Sequence, residues 1–272
     1  MSRLLRCESC GGTVRYVVER SAGACLFCGA KTLTLYEPDT PPAEPSGIVP
    51  PRIQPAEAAQ RFRAWAAGSF WYPKALREAH VELSPLLLPA YRLAADVTAY
   101  YAGLVRASTR SGKRPVAGEE HWHDEVYVPA SGALSEPELA ALEPFDASEA
   151  VPVERADALA RWPQETPQRS PRFARARAHA RMTARAEAFV AHERGLLSCR
   201  VSPVFENERF DLFAVPIYAG IFVHRGRPRR LLVNAQTGEV VGKAPLDRVK
   251  VTLAVLLAAA ALLATCRLLG CT

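Results

Sequence analysis

The sequence predicts an α+β protein: a small all-β zinc ribbon, a mixed antiparallel-sheet body with helices, and one C-terminal transmembrane helix. Three observations carry this prediction. Two Cys-x-x-Cys pairs, Cys7/Cys10 and Cys25/Cys28, stand near the start with fourteen residues between them. Behind a proline-dense stretch, runs of β-branched and aromatic residues alternate with helical patterns. An uncharged run, residues 251–266, lies near the end.

The paired cysteines carry the strongest signal, because this spacing suits a tetrahedral metal held by thiolates. Each pair is followed by glycine (Gly11, Gly29), which lets the backbone curl around the sulfur without a side-chain clash. Residues 13–18 read as a strand, 20–23 as a turn and 31–36 as a second strand. A hairpin clamped by two such knuckles is a zinc ribbon, residues 1–36. So small a unit buries little apolar surface, and the metal is expected to supply most of its folding energy. The competing readings are two disulfides or a redox pair. Disulfides need an oxidising compartment, whereas residues 1–6 run into Cys7 with no secretory signal. Cys7, Cys10, Cys25 and Cys28 are therefore expected to hold one structural Zn2+ per chain. Four cysteine ligands leave no position open for catalysis.

Residues 37–55 contain seven prolines, the composition of an extended, semi-rigid linker. The ribbon then reads as a separate head on a stalk. The body is expected over 56–246. It opens on a helix started by Pro55, with Phe62, Trp65 and Ala66 on one face, and a short second helix over 74–80. Strands follow over 86–105 and 125–129, and short helices over 136–142 and 153–162. Residues 171–194 form the longest helix candidate, capped by Ser170 and stopped at Gly195. Strands over 196–205, 210–223, 230–234 and 239–241 complete a mainly antiparallel α+β body. Leu88-Pro-Ala-Tyr91 and Val215-Pro-Ile-Tyr218 hint at one sheet unit used twice.

Residues 249–271 read as a tail anchor. The uncharged run spans about 24 Å as a helix against a hydrocarbon core of about 30 Å, and the shortfall is met if Arg267 snorkels to the interface. Arg248 and Lys250 precede it, so the positive-inside rule keeps the body in the cytoplasm. The expected placement is a single-pass membrane protein, in a bacterial inner membrane, with the bilayer as one partner. The net charge of +6 permits nucleic acid as another. With only five lysines and arginine abundant throughout, that charge is weak evidence for it.

The segment Val233-Asn-Ala-Gln-Thr-Gly-Glu-Val-Val-Gly-Lys-Ala-Pro245, with Trp71-Tyr-Pro, Leu88-Pro-Ala-Tyr91 and Tyr127-Val-Pro-Ala-Ser131, resembles a group of bacterial zinc-ribbon membrane proteins. These are often labelled primosomal-protein or helicase-like and have no assigned activity. The Asn-Ala-Gln-Thr-Gly-Glu-Val turn is similar to a hairpin of PepSY-type domains, and Thr237-Gly238 closes a tight turn between two strands. Where proline often follows the first cysteine in such ribbons, Glu8 and Leu26 stand here. No GxxxxGK[ST] loop and no nucleophile elbow is present.

Two clusters remain as candidate chemistry. His121-Trp-His123-Asp-Glu125, with Glu119 and Glu120, places two histidines on one side of a strand and is the seat of any metal-dependent hydrolase activity. Arg177, Arg181 and Arg185 recur every fourth residue on the 171–194 helix, as a solvated face or a surface for anionic partners. The function expected from the whole is a non-enzymatic, membrane-anchored cytoplasmic adaptor or scaffold working through protein–protein contacts. Its rival is a nucleic-acid-binding ribbon protein at the membrane.

Overall fold

The computed structural model describes residues 2–17, 23–79, 81–157, 159 and 161–268. Its first strands are β1 (Ser2–Cys7), β2 (Thr13–Val17), β3 (Leu33–Leu35) and β4 (Gly47–Ile48). Helices α1 (Pro55–Ala67) and α2 (Lys74–Arg77) lead into β5 (Leu83–Arg106) and β6 (Lys113–Pro129). Next come α3 (Glu136–Leu142), β7 (Gln164–Glu165), α4 (Pro171–Glu193), β8 (Ser198–His224), β9 (Arg227–Asn234), β10 (Val240–Gly242) and α5 (Arg248–Leu268). The ten strands form one mixed sheet, ordered β10-β9-β8-β5-β7-β2-β1-β3, with β6 added to β5 and β4 to β8. Of the expected turn at 20–23 only Gly23 lies within the described residues, and the end of the tail, including Cys271, lies outside them.

The ribbon is not a separate all-β unit, which corrects the expected fold class. Its strand β2 pairs with β7 of the body, Val14 opposite Glu165 and Arg15 opposite Gln164. Cys7, Val14, Tyr16, Cys25 and Phe27 share one apolar cluster with Leu86, Leu88, Ile217 and Leu232 of the body. The physical reason is area: a unit of this size cannot bury its own apolar side chains, and the body's sheet supplies the missing face. The proline-rich segment is likewise held down. Ser46 N donates to the Leu212 carbonyl at 2.7 Å, β4 pairs in parallel with β8, and Ile48 and Val49 are buried. Its apolar residues make it a strap across the sheet.

The expected transmembrane helix is also corrected. Among the described residues no helix is long and apolar enough to cross a membrane. Helix α5 is long, but its uncharged stretch between Lys250 and Arg267 measures about 24 Å against a hydrocarbon core of about 30 Å. The single-pass membrane placement built on that helix falls with it. Its first turn is tied to the body instead: Asp247 N donates to the Trp71 carbonyl at 2.8 Å, and Lys250 Nζ to that of Phe70 at 2.7 Å.

The faint Pro-x-Tyr repeat marks a duplicated helix–strand–strand unit. Leu88 faces Val215 in the β5–β8 pairing, so the two motifs meet about a local two-fold axis. Tyr91 of the first unit donates its hydroxyl to the Arg169 carbonyl, two residues before Pro171 opens α4 (3.2 Å). Tyr218 of the second donates to the Ile53 carbonyl, two residues before Pro55 opens α1 (2.8 Å). Ala130 and Ala235 complete the correspondence. Their N–H groups donate to the Pro89 and Pro216 carbonyls, both at 3.0 Å, and their carbonyls accept from Gln168/Arg169 and Arg52/Ile53.

The same geometry explains how proline sits inside long strands, where it is normally excluded. Pro89 falls between the β7 partner at Leu87 and the β6 partner at Ala90. Pro216 falls between the β4 partner at Ala214 and the β9 partner at Ile217. Each therefore lies where the neighbouring strand changes and no N–H is required. The strands expected at 196–205 and 210–223 are one strand, β8, interrupted by a register shift where Asn207 adopts φ +52°.

Helix α4 forms as its sequence dictates. Ser170 Oγ accepts from Phe173 N, and the fourth-residue spacing of Ala174, Ala178, Met182, Ala186 and Val190 buries one small-residue stripe on the sheet.

Candidate metal centre

Two knuckles of matching geometry bring the four cysteines together. In the first, Gly11 N donates to the Cys7 carbonyl at 2.9 Å and Cys7 N to the Gly12 carbonyl at 2.9 Å; in the second, Gly29 N donates to the Cys25 carbonyl at 2.9 Å and Cys25 N to the Ala30 carbonyl at 2.8 Å. Gly11 and Gly29 hold φ of +77° and +75°, the left-handed turn that their position after the second cysteine calls for. Cys7 and Cys28 sulfurs lie 3.6 Å apart, as do Cys10 and Cys25, and all four lie within 4.8 Å of one another. This group could hold a metal ion.

The centre sits at the seam between ribbon and body. Cys7 and Cys25 are buried, and Phe27 between the second pair is fully buried in the shared core. Gly12 must be glycine, because a Cβ there would meet Phe27 and Ala133 at 2.9 Å. Gln168 Nε2 donates to the Gly11 carbonyl at 3.1 Å, and Thr166 N to the Thr13 carbonyl at 2.9 Å. The second knuckle rests on β8, with Ile221 beneath Gly29. The Cys10 thiol is pushed up by its hydrogen bond with Cys25 and then by burial, and the Cys28 thiol chiefly by burial. Raised in this way, the two thiols keep their protons unless a cation among the sulfurs favours the thiolate.

One buried group beside the ribbon escaped sequence reasoning. Glu165, on the strand that receives β2, is fully buried. Its Oε1 accepts from Ser131 Oγ at 2.8 Å, while Oε2 is buried with no partner. Burial pushes the carboxyl up to about 7. No local pattern marks it, since the burial arises from a strand 150 residues away in sequence.

The histidines stand elsewhere. His121 and His123 are exposed on β6; Nδ1 of the first lies 3.0 Å from Thr98 Oγ1 and Nδ1 of the second 2.9 Å from Asp96 Oδ1. Among the described residues, the cysteines are the group in which three or more metal-ligating side chains converge.

The arginine stripe is committed to internal pairs. Arg177 binds Glu136 through two 2.8 Å bonds. Arg181 binds Glu143 at 2.6 and 2.9 Å, and Arg185 reaches Asp124 at 3.1 Å. These contacts bolt α4 to α3 and β6. Glu143 carries a carboxyl raised by burial against the lowering effect of Arg181. Compared with family models, curated proteins and solved structures, the chain matches none.

Proposed function

We propose that this protein is a zinc-stapled, non-enzymatic interaction protein, an adaptor or scaffold whose metal is structural. The observation that carries the reading is the thiol cluster. A tetrahedron with metal–sulfur bonds of about 2.3 Å has sulfur–sulfur edges of about 3.8 Å, and the two closest pairs stand at 3.6 Å. All-thiolate ligation selects zinc over the hard cations. It also leaves no site for water or substrate, so the centre supplies no Lewis-acid chemistry.

A role in protein contacts draws support from α5. Leu253, Val255, Leu256, Leu257, Leu262 and Leu263 stand exposed on a helix whose base is tied to the body, beside exposed Phe70 and Trp71. Apolar surface of this kind marks an interaction site. The nucleic-acid alternative is less favoured because Arg177, Arg181 and Arg185, the stripe on α4, are each paired with a carboxylate of the same chain.

The test is metal analysis followed by cobalt substitution. Purified protein should carry a single zinc per chain. The Co2+ form should show an intense sulfur-to-metal charge-transfer band and tetrahedral visible bands that azide or imidazole leaves unchanged. A spectrum that shifts with added ligand means an open position and contradicts a purely structural metal.

A further inference from the structure

The sheet has a gap where the ribbon joins the body. Strand β7 lies between β5 and β2 but is only two residues long. β2 pairs with it through Val14 and Arg15, and β5 through Leu87. Ahead of Gln164 the chain is out of the sheet: Trp162 N donates to the Leu159 carbonyl at 2.9 Å, and its ring packs on Tyr218 with centroids 5.7 Å apart. Residues 16–17 of β2 and 83–86 of β5 are therefore left with no strand between them among the described residues. There β5 is paired on its other edge only, by β8. A cavity of about 850 Å³ lies at this gap, walled by Tyr16, Cys25 and Leu26 of the ribbon and by Ser84 and Pro85 of the body, with Pro163 at its end. Two strands that flank a missing third stand about 9.5 Å apart, and β7 sets that spacing at one end.

The facing backbones carry the groups that a strand needs. Successive residues of a strand turn their N–H and C=O groups to opposite edges. Leu87 N donates to the Pro163 carbonyl at 2.9 Å, and the Pro89 carbonyl accepts from Ala130 N at 3.0 Å, both on the β7 and β6 edge. By alternation Leu83 turns its N–H and carbonyl into the gap, and Pro85 its carbonyl. Across the gap, the Thr13 carbonyl accepts from Thr166 N at 2.9 Å, which places the N–H and carbonyl of Val17 on the same edge of β2. Among the described residues none of these groups of Leu83, Pro85 and Val17 has a partner in the gap.

On the reading of this chain as an interaction protein, we propose that the gap takes an extended peptide of a partner protein as an added strand in line with β7, bonded to β5 on one side and to β2 on the other. Main-chain groups at strand spacing answer both edges at once. About four residues of the peptide fit, since residues 83–86 extend about 13 Å. Among the lining residues Glu82 alone is charged, so the segment is uncharged within the gap and basic at the end beside Glu82.

The zinc-loaded full chain is tested in two ways. Amide exchange read by NMR in the free protein should show Leu83 exchanging at least about tenfold faster than Ser84 and Leu86, which turn to β8. A displayed library of random peptides is then selected on the protein, and the enriched sequences are synthesised. They should bind in the roughly micromolar range and slow the exchange of Leu83. Leu83→Pro removes the donor and Ser84→Trp fills the gap, and each should weaken binding about tenfold. Ser84 is only partly buried, so its variant keeps the test open should Leu83→Pro fail to fold. Arg110→Gln, on the distant β5–β6 turn, should bind as the parent does. A Leu83 amide already protected in the free chain overturns the proposal, because the gap is then closed from within. So does a selection that enriches no peptide, or peptides that Ser84→Trp binds as tightly as the parent. The cobalt spectrum does not depend on the gap, so a failed strand site and an open metal position are told apart.

Discussion

Replacing Cys25 with serine is expected to destabilise the whole protein, by roughly 3–5 kcal/mol or more. That is a fraction of the ~10–16 kcal/mol with which structural zinc binds small peptides. The reason is the shared core. Cys25 and Phe27 pack with Leu86, Leu88 and Ile217, so a loosened knuckle exposes the centre of the sheet to water. The readout is convenient, because all four tryptophans (Trp65, Trp71, Trp122 and Trp162) lie outside the ribbon. Denaturant unfolding followed by tryptophan fluorescence therefore reports the body. A single transition at lower denaturant is expected, with Cys199→Ser as an unaffected control. An unchanged tryptophan transition would contradict a common core.

The second large effect is the pH dependence set by Glu165. Its folded carboxyl is raised from 4.5 to about 7, so the folded state keeps a proton that the unfolded state releases. Stability from this group is complete below about pH 4.5, falls as pH rises towards 7 and is level above it. The shift corresponds to on the order of 3 kcal/mol. Glu165→Gln removes the charge and keeps an acceptor for Ser131. Its stability should match the parent near pH 4.5 and exceed it by roughly 2–3 kcal/mol at pH 8. Comparing the two proteins at each pH cancels the carboxylates that act in the opposite sense, such as Glu136 and Glu138, whose values are lowered in the folded state. Equal stability of the two proteins across the range would show that Glu165 is ionised and satisfied.

The parts legible in the sequence are those fixed by neighbours along the chain. The knuckles need only Cys-x-x-Cys-Gly, and α4 needs Ser170, Pro171, its fourth-residue stripe and Gly195. The tight turn at Gly238 is equally local: its φ is +80° and its N–H donates to the Asn234 carbonyl at 2.9 Å. What stayed hidden depends on distant partners. Two residue pairs, Val14–Glu165 and Arg15–Gln164, join ribbon to body, and nothing in residues 13–17 announces them. The strand expected at 125–129 is only the apolar end of β6, because residues 113–124 carry no apolar alternation to announce them, yet they pair with β5 without a break. Prolines 89 and 216 lie inside strands that the sequence predicts, and what makes room for them, the change of neighbour beside each, is set by distant strands. Arg177, Arg181 and Arg185 look like a docking face because the carboxylates that hold them lie on α3, just after it, and on β6.

The central claim is that the metal holds ribbon and body as one cooperative structure. Hydrogen exchange of the zinc-loaded chain, before and after chelation, tests it most directly. The account predicts that removing the metal lowers protection in residues 86–90 of β5 and 213–219 of β8 along with residues 2–17. Loss of protection confined to residues 2–36, with β5 and β8 as protected as before, would contradict it.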